Sequence, residues 1–127
     1  MLASDLLEQV AAFNDHLQTN LWLDIELRMC SPHTLVLDCG IDLSSKPDVE
    51  MRFGTVFFTS ILMSWKTDTS VGHVMQVVSG LEAVKLNEQY QVERGFHLFA
   101  FQPEGLSGEA SCLIAAKEFS WRVTTDK

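Results

Sequence analysis

Three cysteines and four histidines are the residues of this chain that could carry metal or nucleophilic chemistry. Cys30 and His33 flank a Ser-Pro pair and form half of a zinc site by residue type, which Cys112, His73 and His97 could complete. The spacing does not favour this set, and a domain of this size folds without a metal. We predict no metal site and no cofactor.

A thiol beside an imidazole is also the only enzyme arrangement that the composition readily permits. Cys112 or Cys30 would be the thiolate, and His73 or His97 the base. Activated cysteines usually lie at helix N-termini or beside positive charge, whereas Cys112 lies in an apolar run. The sequence therefore favours a protein that is not an enzyme.

Carboxylates form a second group with possible function. Asp24, Glu26 and Asp38 fall on the polar phase of two alternating stretches, Leu21 to Met29 and Thr34 to Asp42. A period of two predicts two half-buried strands, paired as a hairpin. Calcium or magnesium would need oxygens that converge from a loop, so an acidic sheet face suits a basic protein better than a metal ion.

The register of this hairpin decides what the acids face. One register places Glu26 opposite Asp38 and another places Asp24 there, and both set like charges against each other. Either would suggest a basic partner or a cation. A third register places Arg28 opposite Asp38 and leaves residues 32–34 as the loop. We favour this one, in which the acids form an ordinary solvated face.

Trp22 breaks the alternation of its strand and falls on the polar phase with Asp24 and Glu26. An exposed tryptophan among acids is typical of an interface anchor. The alternative is that a loop or the linker from the preceding helix covers it. We expect Trp22, Asp24, Glu26 and Asp38 to form the binding surface.

An apolar pocket is the alternative site. Aromatic side chains occur on both phases of two strongly apolar runs, Val56 to Trp65 and Phe96 to Phe101. Such side chains can line a small-molecule pocket with a few polar groups, of which a histidine would be one. The candidate lining residues are Phe57, Trp65, His97, Phe99 and Phe101. A histidine between apolar residues is more often simply buried.

One helix and about six strands must position these residues. The apolar residues from Leu2 to Gln18 recur every three or four positions, which predicts an amphipathic helix. Gly54 predicts a bulge between two strand segments. Val74 to Val84 is ambiguous between a strand pair and a short helix, and we favour strand there.

The end of the chain predicts one bent strand or two short ones, Cys112 to Ala116 and Phe119 to Val123. We predict a single α+β domain over residues 1–127, with the N-terminal helix packed on a largely antiparallel, meander-like sheet. One helix covers only part of one sheet face, so the doubly apolar strands need further cover. A homodimer is the commonest answer.

The charge balance limits the partners. Nine Lys and Arg against seventeen Asp and Glu give a net charge of −8, and the basic residues are spread singly. Nucleic-acid binding needs clustered positive charge, and anionic lipid would repel this chain.

The N-terminus has no signal-peptide pattern, no apolar stretch has the length of a membrane span, and an odd set of thiols suits a reducing compartment. We expect a cytoplasmic protein.

Two functions remain. The first is a non-enzymatic protein-binding module with an acidic sheet face, such as an immunity-type or adaptor protein that binds a basic partner. The second is a small-molecule-binding protein or small enzyme with an apolar pocket beside His97. We prefer the first, because the acid bias is present and catalytic motifs are absent.

Overall fold

The computed structural model describes residues 3–18, 22–41, 47–68, 74–104 and 112–124. All strand pairs are antiparallel, in the order β4-β1-β2-β3-β7-β6-β5. The α+β class is confirmed, with seven strands instead of about six. In chain order the elements are α1 (Ala3–Leu17), β1 (Trp22–Cys30), β2 (Thr34–Gly40), β3 (Val49–Ser60), β4 (Ser64–Asp68), β5 (Met75–Val77), α2 (Gly80–Tyr90), β6 (His97–Phe101) and β7 (Leu113–Val123).

Helix α1 packs on one face of the sheet, which we call the inner face. The apolar stripe of the helix is buried there, as its three-and-four spacing predicts. Opposite it lie odd-numbered residues of the first two strands and aromatic residues of β3, β6 and β7. The helix residues of this core are Leu6, Val10, Phe13 and Leu17.

The sheet curls so that its two ends approach each other. Strands β4 and β6 are separated by four strands in the sheet order, yet the rings of Trp65 and Phe101 lie 5.5 Å apart. Beyond β6, the backbone N–H of Glu104 donates to the carbonyl of Lys66 on the edge strand β4 (2.8 Å). The curl closes the inner core around α1.

The other edge strand, β5, is capped by a side chain. Asn14 on α1 accepts from the N–H groups of Val74 (2.8 Å) and Met75 (3.1 Å) and donates to the Met75 carbonyl (2.8 Å). An unpaired strand edge has free N–H and C=O groups that can pair with other chains. Here the Asn14 amide forms hydrogen bonds with both N–H and C=O groups at this edge. Asn14 is itself buried, so helix and strand edge form one packed unit.

The predicted run Val56 to Trp65 is two strands. Strand β3 ends at Ser60, and β4 begins at Ser64. The predicted bulge at Gly54 is displaced along the chain, because Thr55 takes the left-handed conformation (φ 52°) and the register with β7 shifts between Val56 and Phe58. The side chains of this run change sheet face at the irregularity. This explains why apolar residues occur on both phases of the run.

The end of the chain forms one strand, not two. In β7, Ala116 and Phe119 both belong to the inner core. In a regular strand, residues three positions apart lie on opposite faces. The alternation shifts at Lys117 and Glu118, which are both exposed. Residues before the shift, Leu113 and Ala115, face the other side of the sheet, which we call the outer face.

A second helix begins within the segment for which we predicted strand. Only Met75–Val77 is strand, and α2 follows from Gly80. The helix covers the β6–β7 part of the outer face, where Phe58 stacks on Tyr90 with ring centroids 4.2 Å apart. The second apolar face is thus covered by the chain itself, which removes the reason that we gave for a homodimer.

No helix in the described ranges is long and apolar enough to cross a bilayer. His73, which we considered as a zinc ligand and as a catalytic base, lies outside the described residues.

Candidate functional site: the charged outer face

The part of the outer face formed by β4, β1, β2, β3 and β7 carries charged side chains. Ladder pairing places Glu26 opposite Asp38, Asp38 opposite Glu50, and Glu50 opposite Arg122. Three carboxylates therefore occupy one row across three adjacent strands. We call the surface around this row the charged face, made of Asp24, Glu26, Arg28, Asp38, Glu50, Arg52, Lys66 and Arg122.

The hairpin does not adopt the register that we favoured. Glu26 lies opposite Asp38, so like charges face each other as in the first alternative. The register then shifts between Leu27 and Met29, which makes Arg28 the extra residue of a bulge. From there Arg28 binds Asp38, with Nε 3.1 and 3.0 Å from the two carboxylate oxygens. The bulge thus places the cation Arg28 beside Asp38, whereas the hairpin register alone places only Glu26 there.

Glu50 is the centre of the charged face. It is only 4% exposed, yet three arginines surround it. Arg122 donates from Nε (3.1 Å) and Nη2 (2.8 Å) to Oε1, Arg52 donates from Nη2 to Oε2 (3.0 Å), and Nη2 of Arg28 lies 3.1 Å from Oε1. The arginine side chains remain 49–71% exposed.

These arginines set the protonation state of Glu50. Burial by itself would raise the pKa of the Glu50 carboxyl. The hydrogen bonds from Arg122 and Arg52 and the positive charge of Arg28 outweigh burial and hold the pKa below its usual value. Glu50 is therefore ionised at neutral pH and keeps the three guanidinium groups in fixed positions.

The β1 end of the charged face differs from its centre. Asp24 accepts from Nζ of Lys66 on the neighbouring strand (2.8 Å), and both side chains are partly exposed. Glu26 is exposed and, within the described part of the chain, has no cationic partner. Its neighbours across the strands are Asp38 and Ser64. A carboxylate beside a second acid, without a cation, is open to a partner's cation.

The structure brings three of the four predicted binding residues, Asp24, Glu26 and Asp38, onto this face. The fourth, Trp22, begins β1 with its backbone opposite Asp68, and its side chain lies outside the described residues. The predicted exposure of Trp22 stays a prediction. Among the described side chains the face is less acidic than predicted, because its four acids are matched by four basic residues.

The residues of the predicted apolar pocket do not form one group. Trp65, Phe99 and Phe101 are buried in the inner core, where Phe53 packs 5.0 Å from Phe99. Phe57 is exposed and lies within the β3 irregularity, between Val56 and Phe58. These three core side chains fill the position at which a ligand was predicted.

Phe57 and His97 lie at the margins of this core. The ring of Phe57 packs against Phe96 at 5.2 Å, and the His97 imidazole lies 6.4 Å from Phe99. Burial lowers the pKa of His97, so the ring is neutral at pH 7. This is the environment of a histidine that fills space beside a core.

The predicted thiol and imidazole groups are dispersed. Cys30 and His33 are exposed near the β1–β2 turn, whereas Cys112 is buried. Burial raises the pKa of Cys112 to about 11, and burial also raises that of Cys39. Thiols with raised pKa values are poor nucleophiles at neutral pH.

Sequence reasoning missed Glu50, Arg52 and Arg122. Glu50 and Arg52 alternate with the apolar residues Val49, Met51 and Phe53, and Arg122 lies on the polar phase of the final predicted strand. The alternation was therefore visible. What was missing was the pairing of β3 with β7, which joins residues 72 positions apart along the chain.

No protein-family model, no curated protein and no solved structure matches this chain.

Proposed function

We propose that this protein is a non-enzymatic protein-binding module, that its binding surface is the charged face, and that the partner places a basic side chain on Glu26. The observation that carries this proposal is the row of three carboxylates. Asp38 and Glu50 are neutralised by arginines of the same chain, whereas Glu26 at the end of the row has no cationic partner among the described residues. A partner's Lys or Arg would complete the row.

The rest of the surface supports a protein partner in preference to a small ligand. Side chains fixed by ion pairs lose little conformational freedom on binding, so they form a preorganised contact surface. Asp24 is held by a single exposed lysine and can exchange it for a partner's cation. The net charge of −8 speeds encounter with a basic protein.

The test is capture of the partner by wild-type protein and by Asp24→Asn/Glu26→Gln. Proteins retained from an extract of the source cells are identified by mass spectrometry. The retained partner is then purified and titrated at about 0.05 M and about 0.5 M salt. The control, Asp15→Asn/Glu93→Gln, removes the same charge from exposed positions outside the charged face.

We expect a basic partner whose affinity falls with salt. The affinity should fall at least about tenfold for Asp24→Asn/Glu26→Gln and change little for the control. Equal loss in both variants would mean that only net charge matters. Unchanged affinity in the Asp24→Asn/Glu26→Gln protein would refute this face as the binding surface.

A further inference from the structure

We propose that the depression between Arg52 and Arg122 binds an acidic side chain of the partner, so that the charged face recognises a basic group and an acidic group together. The inference rests on the proposed function, because it concerns the same partner. The depression lies on the outer face where β3 pairs with β7, and its volume is about 180 Å³, so a carboxylate group fits in it. Its lining residues are Glu50, Arg52, Ser120, Trp121 and Arg122.

Both arginines keep hydrogen-bond donors that Glu50 does not use. A guanidinium group has five N–H groups. Arg52 donates one of them to Glu50 and Arg122 donates two, and the other N–H groups have no acceptor in the parts of the chain that the structure describes. The two side chains are 50% and 71% exposed, so an incoming acceptor can reach these groups. The hydroxyl of Ser120, an exposed residue directly opposite Arg52, is a further donor.

Glu50 orients these arginines and does not block the depression. Both of its carboxylate oxygens already accept hydrogen bonds, Oε1 from Arg122 and Oε2 from Arg52. Guanidinium groups that are already held in place lose little freedom when they bind an acid. The lining contains two arginines and one carboxylate, so it carries one net positive charge, and Glu118, the acid of β7, is not part of it. The depression is therefore locally positive on a chain whose net charge is −8.

A carboxylate is the anion that suits this depression. A guanidinium group forms two parallel N–H···O bonds with a carboxylate or with a phosphate. A phosphate group brings about two negative charges to a chain that is already acidic, whereas a carboxylate brings one. A protein held over this face by a cation on Glu26 carries carboxylates in its own side chains. We therefore assign the acid to an Asp or Glu side chain of the partner.

The two proposed contacts are a fixed distance apart. The row of paired residues runs from Glu26 through Asp38 and Glu50 to Arg122, on four adjacent strands. Neighbouring strands lie about 4.8 Å apart, so three spacings separate the ends of the row by about 14 Å. The partner should carry its acidic group at about this distance from its basic group. Because the two ends of the face differ in sign, this pattern also fixes the orientation in which the partner binds.

The test compares Arg52→Gln with Arg94→Gln in titrations with the purified partner at one salt concentration. Each variant loses one positive charge, from the depression or from an exposed position outside the charged face. Loss of a cation makes the chain more acidic, so long-range attraction alone would slightly strengthen the binding of a basic partner. We expect the affinity to fall at least about fivefold for Arg52→Gln and to stay equal or rise for Arg94→Gln.

A double-mutant cycle then locates the acid on the partner. Asp and Glu residues of the partner are replaced one at a time by Asn or Gln. The residue that contacts Arg52 should weaken binding to the wild-type chain and have no further effect on binding to Arg52→Gln. Circular dichroism should show that Arg52→Gln is folded, because Arg122 and Arg28 still contact Glu50.

A second measurement needs no partner. Wild-type protein is titrated with sodium acetate at constant ionic strength, and the side-chain N–H signals of the arginines are followed by NMR. The signals of Arg52 and Arg122 should shift and saturate at about 10–100 mM acetate, whereas that of Arg94 should not. Inorganic phosphate is the second titrant. Phosphate that binds more than about tenfold more tightly than acetate would show that the choice of a carboxylate is wrong.

Unchanged partner affinity in Arg52→Gln, or equal losses in Arg52→Gln and Arg94→Gln, would overturn the inference. The absence of a saturable acetate effect at Arg52 and Arg122 would do so as well. The proposed function fails separately, because its own variant, Asp24→Asn/Glu26→Gln, leaves the depression intact. Loss of affinity in that variant alone would support the function and overturn the inference, and loss in Arg52→Gln alone would do the reverse.

Discussion

Replacement of Glu50 by glutamine tests whether the charged face is held together as described. The carboxylate is buried and accepts hydrogen bonds from Arg52 and Arg122, while Arg28 lies 3.1 Å away. Glutamine keeps the shape of the side chain and one acceptor oxygen. It removes the charge and directs an NH₂ group at a guanidinium that also donates.

The cost follows from the exposure of the partners. Removal of one member of a fully buried ion pair costs about 3–5 kcal/mol, because the other charge stays desolvated. Here the arginine side chains are 49–71% exposed and regain water, so each lost pair should cost less than about 1 kcal/mol. Three such pairs give about 2 kcal/mol of lost stability. For a domain of this length, that lowers Tm by about 8 °C.

The effect of pH gives an independent check. The pKa of Glu50 is lower in the folded chain than in the unfolded chain, so its charged form stabilises the fold above the ordinary carboxyl pKa of about 4.3. This stabilisation disappears as the pH falls towards the folded-state pKa. Urea unfolding of wild type and Glu50→Gln should therefore show the full difference at pH 7. The two curves should converge as the solution becomes acidic.

The control for this experiment is Glu26→Gln, which removes a carboxylate of the same row that has no cationic partner among the described residues. It should change the free energy of unfolding by less than about 0.5 kcal/mol. If Glu50→Gln and Glu26→Gln were equally mild, or if the Glu50→Gln difference did not depend on pH, the three-arginine contact would have no energetic weight and the reasoning would fail.

Two further predictions concern the packing of the helices. Asn14→Ala leaves the backbone groups of Val74 and Met75 without their hydrogen bonds to the side-chain amide. Urea unfolding should therefore show about 2–4 kcal/mol of lost stability. The rate of hydrogen exchange should increase most in β5. An unchanged exchange rate at Met75 would contradict this role. Tyr90→Ala removes the stack on Phe58 and should increase the rate of hydrogen exchange in α2 more than in β1. An equal increase in both elements would mean that α2 does not open separately from the rest of the fold.

Much of the local structure was predictable from neighbouring residues. The first helix, predicted over Leu2 to Gln18 and observed as Ala3–Leu17, and the strands of the first hairpin have strong periods of 3.6 and 2. These periods depend on the backbone geometry of each element alone. The acids Asp24, Glu26 and Asp38 were placed on one sheet face for the same reason. Local periodicity is enough for such assignments.

Where periodicity was weak, local reasoning failed. Helix α2 buries only Leu86 fully and carries Leu81 and Val84 outside, so its apolar pattern has no clear face. The irregularities at Arg28 and near Phe57 move side chains between faces, and a bulge has no reliable sequence pattern. The predicted register of the first hairpin was wrong because the bulge at Arg28 could not be foreseen.

The spacing of nearby residues was enough to predict the class of the fold, the amphipathic first helix and the side of the hairpin on which the acids lie. It could not predict that Glu50 is buried among three arginines or that α2 covers the second apolar face. Both depend on contacts between strands and helices far apart in the chain. A cation such as Arg122 comes to lie beside a given carboxylate only when the sheet has assembled.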